Sequence, residues 1–314
     1  MGQDRPFVIN PELTGIALAY KNDDYIADLV LPRTKVGKEQ FAYNEYPKST
    51  YMQTVDGKIG RKGEPETIEL KANRKISEVD YYSVMAEVPE ADVMAANDGD
   101  AGVDPMYDNT ILATEALKLS REVRVAKMLE DTKTYNGNVT TLTAKDSFVN
   151  KESSVIDVFK DVIEKMDASP NYAVISKVNA LYLQSHPDFL GIYKTVNTDN
   201  KGIVPLDFIA QQLGLKRIFV GSARANSVKP GKTPVLQRVW GNDMIFFYQN
   251  PIAKPNVGLT FGLTAEYKAM NVQEYFDGKK GPYGVHYVKP VEGIKELILS
   301  GTCGYLVKDA FVKA

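Results

Sequence analysis

The longest helical pattern in the chain runs from Asp104 to Asp131. Its apolar positions recur at steps of four and three and form one stripe, made by Leu112, Ala116, Leu119, Val123 and Ala126. Further apolar positions widen that stripe: Ile111, Leu117, Val125, Met128 and Leu129. A charged flank is expected from Arg121, Glu122, Arg124, Lys127 and Glu130. Asp104 can cap the helix and Pro105 can occupy its first turn, so the pattern predicts one rod of roughly 40 Å. An ordinary core helix or a coiled-coil arm would show the same periodicity.

Residues 35–78 form a different kind of segment, rich in charge and poor in aliphatic side chains. Ile68, Leu70 and Ala72 alternate with polar residues, which is typical of a strand with one apolar face. Aromatic residues indicate the outgoing strand, and glycines indicate the turn region: Phe41, Tyr43, Tyr46, Tyr51, Gly57, Gly60 and Gly63. We predict a long two-stranded hairpin. Because isolated hairpins are marginal in water, it should lie on another surface, such as a neighbouring subunit. A disordered basic loop is the alternative.

The segments on either side of this hairpin give weaker patterns. Residues 1–34 are interpreted as an arm with a weak helical pattern, which either wraps over another surface or forms the edge of a domain. Tyr82, Val84, Ala86 and Val88 alternate and predict a strand. Pro89 should end that strand, and a short helix can follow it.

From Ser153 onward, alternating helical and strand patterns predict a mixed α/β unit. Helices are expected at 155–166, 177–184 and 206–213, and strands at 172–175, 217–221 and twice within 235–248. Residues 245–248 are continuously apolar, which predicts a strand covered on both faces. After residue 285 the strand pattern returns, and we expect 297–299 to pair with 305–307.

Composition narrows the class of protein without identifying it. The chain has 314 residues, of which 44% are hydrophobic and 25% charged, as expected for a soluble protein of one large or two ordinary domains. A net charge of −2 gives no electrostatic reason to bind nucleic acid from outside. Cys303 is the only cysteine, which excludes an internal disulfide. No apolar run reaches membrane-spanning length and no signal-peptide core opens the sequence, so we expect a cytoplasmic protein.

The sequence does not match the common catalytic and metal-binding patterns. Residues 231–233 resemble the end of a phosphate-binding loop, but its first glycine would fall at Asn226. Gly102 stands where a calcium loop formed by Asp98, Asp100 and Asp104 would need an oxygen ligand. The histidines His186 and His286 are too far apart for metal-ligand spacing. We therefore predict no catalytic, cofactor-binding or metal-binding residues and no enzymatic activity.

Four stretches resemble the major capsid proteins of tailed bacteriophages, which have the Hong Kong 97-type fold. The spine helix of that family is similar to LSREVRVAKML at 119–129. Its axial domain is similar to ISKVNALYLQSHPDF at 175–189, FVGSARANS at 219–227 and VWGNDMIFFY at 239–248. The order of the parts along nearly the whole chain carries the resemblance, because each stretch alone is unspecific.

The resemblance implies an α+β fold with five parts. These are an N-terminal arm (1–34), an extended β-hairpin loop (35–78), a peripheral domain (79–152) with the spine helix (105–131), an axial α/β domain (153–284), and C-terminal strands that return to the peripheral domain (285–314). It also implies a structural subunit that forms hexamers and pentamers of an icosahedral shell around the phage genome, assembled in the host cytoplasm and carried in the virion.

The same resemblance implies partners. Some members carry a long coiled-coil extension that serves as an internal scaffold and is cut away, whereas only about thirty residues precede the charged loop here, so that extension is either absent or already removed from this sequence. We therefore expect a separate scaffolding protein, a portal, a possible cementing protein, and double-stranded DNA enclosed without sequence-specific binding. No cofactor and no membrane are expected.

Two other interpretations remain open at this stage. An encapsulin-type shell shares the fold but encloses enzyme cargo, so the contents of purified particles would discriminate. A soluble α/β enzyme or ligand-binding protein would instead show a pocket with convergent polar groups and a stable monomer.

Overall fold

The structure is a computed structural model that describes residues 7–45, 57–65, 67, 73–99, 104–196, 203–226, 228, 232–255 and 258–313. Within these ranges the helices are α1 (Pro11–Ala19), α2 (Ala27–Val30), α3 (Glu90–Asp98), α4 (Pro105–Glu130), α5 (Val155–Lys165), α6 (Lys177–Gln184), α7 (Pro187–Val196) and α8 (Leu206–Gln212). The strands are β1 (Val8–Ile9), β2 (Arg33–Lys35), β3 (Gln40–Glu45), β4 (Asn73–Glu78), β5 (Asp80–Ser83), β6 (Ala86–Pro89), β7 (Val139–Thr141), β8 (Tyr172–Ser176), β9 (Arg217–Gly221), β10 (Arg224–Asn226), β11 (Leu236–Arg238), β12 (Met244–Phe247), β13 (Gly262–Glu266), β14 (Asn271–Asp277), β15 (Val285–Ile298) and β16 (Gly304–Lys308).

Two larger sheets organise these elements. The first has seven strands, and its long strand β15 pairs antiparallel with β13, β14, β5 and β6, while β1 and β2 lie at its edges. The second has five strands in the order β7-β16-β12-β8-β9. Two-stranded ribbons are formed by β3 with β4 and by β10 with β11.

The five-stranded sheet is covered on both faces. One face packs against α5, α6 and α8 through side chains that include Phe159, Leu183 and Ile209. The other face packs against the C-terminal half of α4 through Val125 and Leu129. All four residues of β12 are buried, which confirms the prediction of a strand enclosed on both sides.

Helix α4 confirms the predicted rod but not its predicted buried face. The Asp104 side chain accepts hydrogen bonds from the backbone N–H groups of Met106 and Tyr107, and the helix continues for 26 residues. Its buried positions are Thr110, Ala113, Thr114, Leu117, Arg121, Glu122, Val125, Ala126 and Leu129. The predicted apolar stripe is therefore wrong in part: Ala126 is buried, Leu119 and Val123 are half-buried, and Ala116 and Leu112 are exposed. The predicted charged flank is also wrong at Arg121 and Glu122, whose polar groups find partners inside the subunit.

Glu122 ties α4 to two distant parts of the chain. Its carboxylate is fully buried and accepts hydrogen bonds from the backbone N–H groups of Ile26 and Ala27 and from Nε1 of Trp240, at distances of 2.7–3.1 Å. Burial raises the pKa of Glu122, and these donors counteract part of that rise. Gly221 is required beside the same indole, because a Cβ there would lie 2.0 Å from Trp240.

An ionic network, buried at Arg121 but exposed at Asp28, attaches α4 to the seven-stranded sheet. Arg121 pairs with Asp28 and donates to Oγ1 of Thr264 at 3.0 Å. Arg33 donates to Asp28 at 2.7 Å and reaches the β13 and β15 carboxylates at 3.0 Å. Burial alone would raise the pKa of Asp28, but the guanidinium groups of Arg121 and Arg33 hold that pKa below its usual value. The segment expected to be an arm is therefore packed against its own subunit from α1 to β2.

The structure departs from the sequence-based expectation at three further places. Residues 82–88 form two strands, β5 and β6, rather than one. Pro187 begins α7, a helix that the sequence analysis missed, because proline suits the first position of a helix. Residues 297–299 and 305–307 do not pair with each other, since β15 and β16 lie in different sheets. The predicted strand positions Ile68, Leu70 and Ala72 lie outside the described residues, as do Tyr46 and Tyr51.

Glu122→Ala should lower the free energy of unfolding by about 3 kcal/mol or more, because three buried N–H groups would lose their acceptor. Urea unfolding of the unassembled subunit, followed by circular dichroism, measures this. The matched control is Glu164→Ala on the exposed face of α5, expected to change stability by less than about 0.5 kcal/mol. Equal effects of the two substitutions would contradict the assigned role of Glu122.

Candidate assembly surfaces

The histidines and the cysteine occupy structural positions. His186 is buried at the start of α7, where Nδ1 accepts the backbone N–H of Asp188 at 3.3 Å, and burial lowers the pKa of the imidazole. His286 bridges the carboxylates of Glu274 and Glu90 at 3.0 and 2.6 Å. Cys303 is completely buried, and burial raises the pKa of its thiol to about 11. None of these three side chains is placed as an exposed nucleophile or general base would be.

The residues of the other candidate motifs either cap or end helices or lie outside the described residues. Asp104 caps α4, and Asp98 ends α3, whereas Asp100 and Gly231 lie outside the described residues. Among the residues that the structure describes, no three His, Cys, Asp or Glu side chains are arranged to hold a metal ion. In the same residues, no helix is both long and apolar enough to cross a bilayer. A groove of about 680 Å³ lies at the root of the hairpin and is lined in part by Val36, Phe41 and Lys254.

The root of the hairpin packs on its own subunit. Strands β3 and β4 pair from Gln40 with Glu78 to Glu45 with Asn73, which confirms a hairpin. Phe41 and Tyr43 contact a small cluster on the seven-stranded sheet formed by Leu263, Ala265, Leu297 and Leu299. The root therefore lies on its own subunit rather than on a neighbouring one, whereas the predicted apolar positions Ile68, Leu70 and Ala72 lie outside the described residues.

Two apolar side chains among the described hairpin residues have no such cover, one within the root and one near the turn. Ile76 on β4 is 71% exposed, and Ile59 is 52% exposed. The backbone N–H of Gly63 donates to the carbonyl of Gly60 at 2.9 Å and closes a turn at residues 60–63. Arg61 and Lys62 are the central residues of that turn, and both are exposed. We call residues 57–65 the hairpin turn.

The outward face of α4 is the second uncovered surface. Leu112 is 61% exposed and Tyr107 is 43% exposed, although Leu112 belongs to the stripe that the sequence predicted to be buried. Met94 on the adjoining helix α3 is 45% exposed. Single exposed apolar side chains are ordinary, and these three are divided between two helices.

Charge distinguishes these two surfaces. No lysine or arginine occurs between Lys75 and Lys118, whereas ten aspartates and glutamates do. The hairpin turn has the opposite balance, with Lys58, Arg61 and Lys62 against Glu64. The sequence analysis recognised the charge of residues 35–78 but missed the acidic stretch that follows them.

Known phage proteins are similar to this chain over nearly its full length. The major capsid protein of Pseudomonas phage JBD67 is 33% identical over 306 residues, which cover 97% of this chain and 98% of that protein. No family model matches the sequence.

Solved structures show the same fold. A phage-related protein from Bordetella bronchiseptica superposes with a TM-score of 0.75 at 19% identity, covering 98% of this chain and 99% of that one. The capsid of the cyanophage P-SCSP1u gives a TM-score of 0.51 at 12% identity, covering 91% of this chain and 87% of the other.

A pair of substitutions in α4 tests the corrected buried face. Leu117→Asp should unfold the subunit or make it insoluble, because a buried unpaired carboxylate costs several kcal/mol. Leu112→Asp should leave the thermal midpoint of the unassembled subunit nearly unchanged, since that side chain is exposed. Differential scanning calorimetry of both variants checks this, and similar destabilisation by the two would show that the face is assigned wrongly.

Proposed function

This chain belongs to the family of phage major capsid proteins, and on that premise we propose that its copies associate as hexamers and pentamers of an icosahedral shell around the phage genome. Its fold is the Hong Kong 97-type capsid fold. The protein is a structural component of the virion that assembles with itself, and it is not an enzyme.

The two large sheets support a division of the subunit into two domains. We assign the five-stranded sheet, with α5 to α8, to the axial domain around which each ring closes. The seven-stranded sheet and α4 form the peripheral domain. This assignment differs from the boundaries expected from the sequence, because β13 and β14 pair with β15 in the peripheral sheet while β16 pairs with β12 in the axial sheet.

The observation that carries this proposal is the hairpin. Its root is fixed on the subunit by Phe41 and Tyr43, while Ile59 and Ile76 are left exposed. Exposed apolar residues on a charged ribbon are expected where the ribbon is covered by another molecule. In a shell of many copies, that molecule is the adjacent subunit.

Further partners follow from the same function. We propose a separate scaffolding protein, a portal and a possible cementing protein. In support, residues 7–35 pack against their own subunit and are not available as an internal scaffold. Packaged double-stranded DNA is confined mainly by the shell wall, since a net charge of −2 gives little overall attraction to phosphate.

Deleting residues 57–63 should produce a folded subunit that does not form particles, because the proposed contact with the neighbour is lost while the root is kept. Size-exclusion chromatography and circular dichroism of the purified variant measure this. A variant of equal length with Gly and Ser at these positions is the control for chain connectivity. It should also fold without forming particles. Unfolding of the axial domain by the deletion would refute the proposed division of the subunit.

Expression of this chain alone should give tubes, sheets or particles of irregular size, and co-expression with the neighbouring phage genes should make them regular. Negative-stain microscopy distinguishes these outcomes, because ring contacts alone leave the number and placement of pentamers undetermined. Uniform closed shells from the chain alone would contradict the need for a separate scaffold. Particles that enclose an enzyme instead of DNA after co-expression would favour an encapsulin-type shell.

A further inference from the structure

Two arginines lie directly opposite each other on the ribbon formed by β10 and β11. Arg224 is paired in register with Arg238 across these antiparallel strands. Both side chains therefore leave the same face of the ribbon, with Cβ atoms about 5 Å apart. Like charges in such a cross-strand pair repel each other and destabilise the pairing. An anion that contacts both guanidinium groups removes this repulsion.

A groove beside the ribbon brings a third cation to the same place. Lys177, the first residue of α6, lines it together with Arg224 and Arg238, and the groove has a volume of about 400 Å³. All three side chains are exposed, and we call them the basic cleft. We propose that the basic cleft binds phosphate groups of the double-stranded DNA that the shell encloses. This inference rests on the proposed shell function, which brings DNA to the subunit, and it names the residues that contact the DNA.

The positive charge of the basic cleft is not neutralised within the described part of the subunit. There, the side chains of Lys177 and Arg224 make no ion pair and no hydrogen bond. Arg238 donates to Oγ of Ser176 at 3.3 Å and to Oδ1 of Asn242 at 3.0 Å, and both acceptors are neutral. These two hydrogen bonds orient the Arg238 side chain without cancelling its charge.

A single carboxylate lies among the described residues that line the groove. It belongs to Asp24, whose Oδ1 accepts a hydrogen bond from the hydroxyl group of Ser222. Three positive charges therefore face one negative charge in the groove. The excess attracts an anion, and the hydroxyl group that could otherwise donate to that anion is directed to Asp24.

The sequence around the ribbon has the same sign of charge. Between Asp207 and Asp243 there are six lysines and arginines and no aspartate or glutamate. This local excess is hidden in the net charge of −2 of the whole chain. Lys232, just before β11, is exposed and extends the positive surface along the ribbon. Several cations in succession fit a repeating polyanion better than they fit one carboxylate.

The chemistry of these side chains suits phosphodiester groups. A guanidinium group can donate two parallel hydrogen bonds to the oxygens of one phosphate, and a lysine ammonium adds a point charge. Contacts of this kind hold the nucleic acid backbone and carry no sequence information. The basic cleft therefore agrees with DNA that is enclosed without sequence-specific binding.

Substitution of the two arginines tests the proposal. Arg224→Gln combined with Arg238→Gln should raise the Kd of a short labelled duplex DNA for the unassembled full-length chain at least about tenfold at low salt. The slope of log K against log salt concentration should fall by about two, because each lost phosphate contact removes about 0.9. Fluorescence anisotropy measures both quantities. Arg224→Lys combined with Arg238→Lys keeps the charge and should keep the slope.

A matched control separates the basic cleft from net charge. Lys145→Gln and Lys151→Gln remove the same two positive charges from exposed positions before α5 and should change the Kd by less than about twofold. Circular dichroism of each variant establishes that the chain is folded. An equal loss of affinity in this control, or an unchanged Kd and slope in the arginine variant, would overturn the proposed site.

Two further ligands identify the source of the anion. Polyglutamate that binds as tightly as the duplex, and is weakened equally by the arginine substitutions, would assign the cleft to an acidic partner protein. Inorganic phosphate that displaces the duplex at concentrations too low to change the ionic strength would assign the cleft to the free ion. Either result would overturn DNA as the ligand, and we expect neither.

The position of the basic cleft in assembled particles separates this proposal from the proposed shell function. In a reconstruction of DNA-containing particles, the basic cleft should face the interior and contact the outermost layer of DNA. A cleft on the outer surface of the particle would overturn the proposal and leave the shell function intact. A wild-type chain that forms no particles with its neighbouring phage genes would instead refute the shell function itself.

Discussion

The buried carboxylate of Glu122 is the contact on which the rest of the subunit depends. One side chain satisfies donors from the N-terminal segment and from Trp240, so it fixes the rotation of the spine helix about its axis. Arg121, the next residue, then points toward Asp28 and Thr264 and attaches the same helix to the seven-stranded sheet. A buried charge without these partners would be strongly destabilising, so helix, N-terminal segment and both sheets are positioned together.

The rotation of the spine helix about its axis determines which of its side chains are exposed and can contact other molecules. Because polar residues occupy the inward face of the spine helix, Leu112 and Tyr107 are directed outward. In an isolated protein these exposed side chains would only promote association. In a shell, association of identical copies is the function, and surfaces that are unfavourable in the monomer become contacts between subunits. The same reasoning applies to the hairpin, whose root is fixed and whose turn is exposed.

The sequence predicted much of this fold because local patterns were strong. The cap at Asp104, the apolar run at Ile245 and the helix ending before Gly214 are determined by neighbouring residues, and the structure has them where they were predicted. The buried face of the spine helix was predicted wrongly in part. Periodicity cannot show that Glu122 accepts hydrogen bonds from three donors on residues about one hundred positions away. For the same reason, the separation of β15 and β16 into different sheets could not be read from their similar patterns. The acidic stretch before Lys118 was visible in the sequence, but the exposure of Leu112 and Ile59 became known only from the structure.

The central claim is that this chain builds a closed shell in which the hairpin leaves its own subunit. A cryo-electron microscopy reconstruction of particles made with the neighbouring phage genes tests it most directly. The account predicts rings of six and five subunits, with residues 57–65 of each copy in contact with the adjacent copy. A reconstruction in which the hairpin folds back onto its own subunit would contradict it.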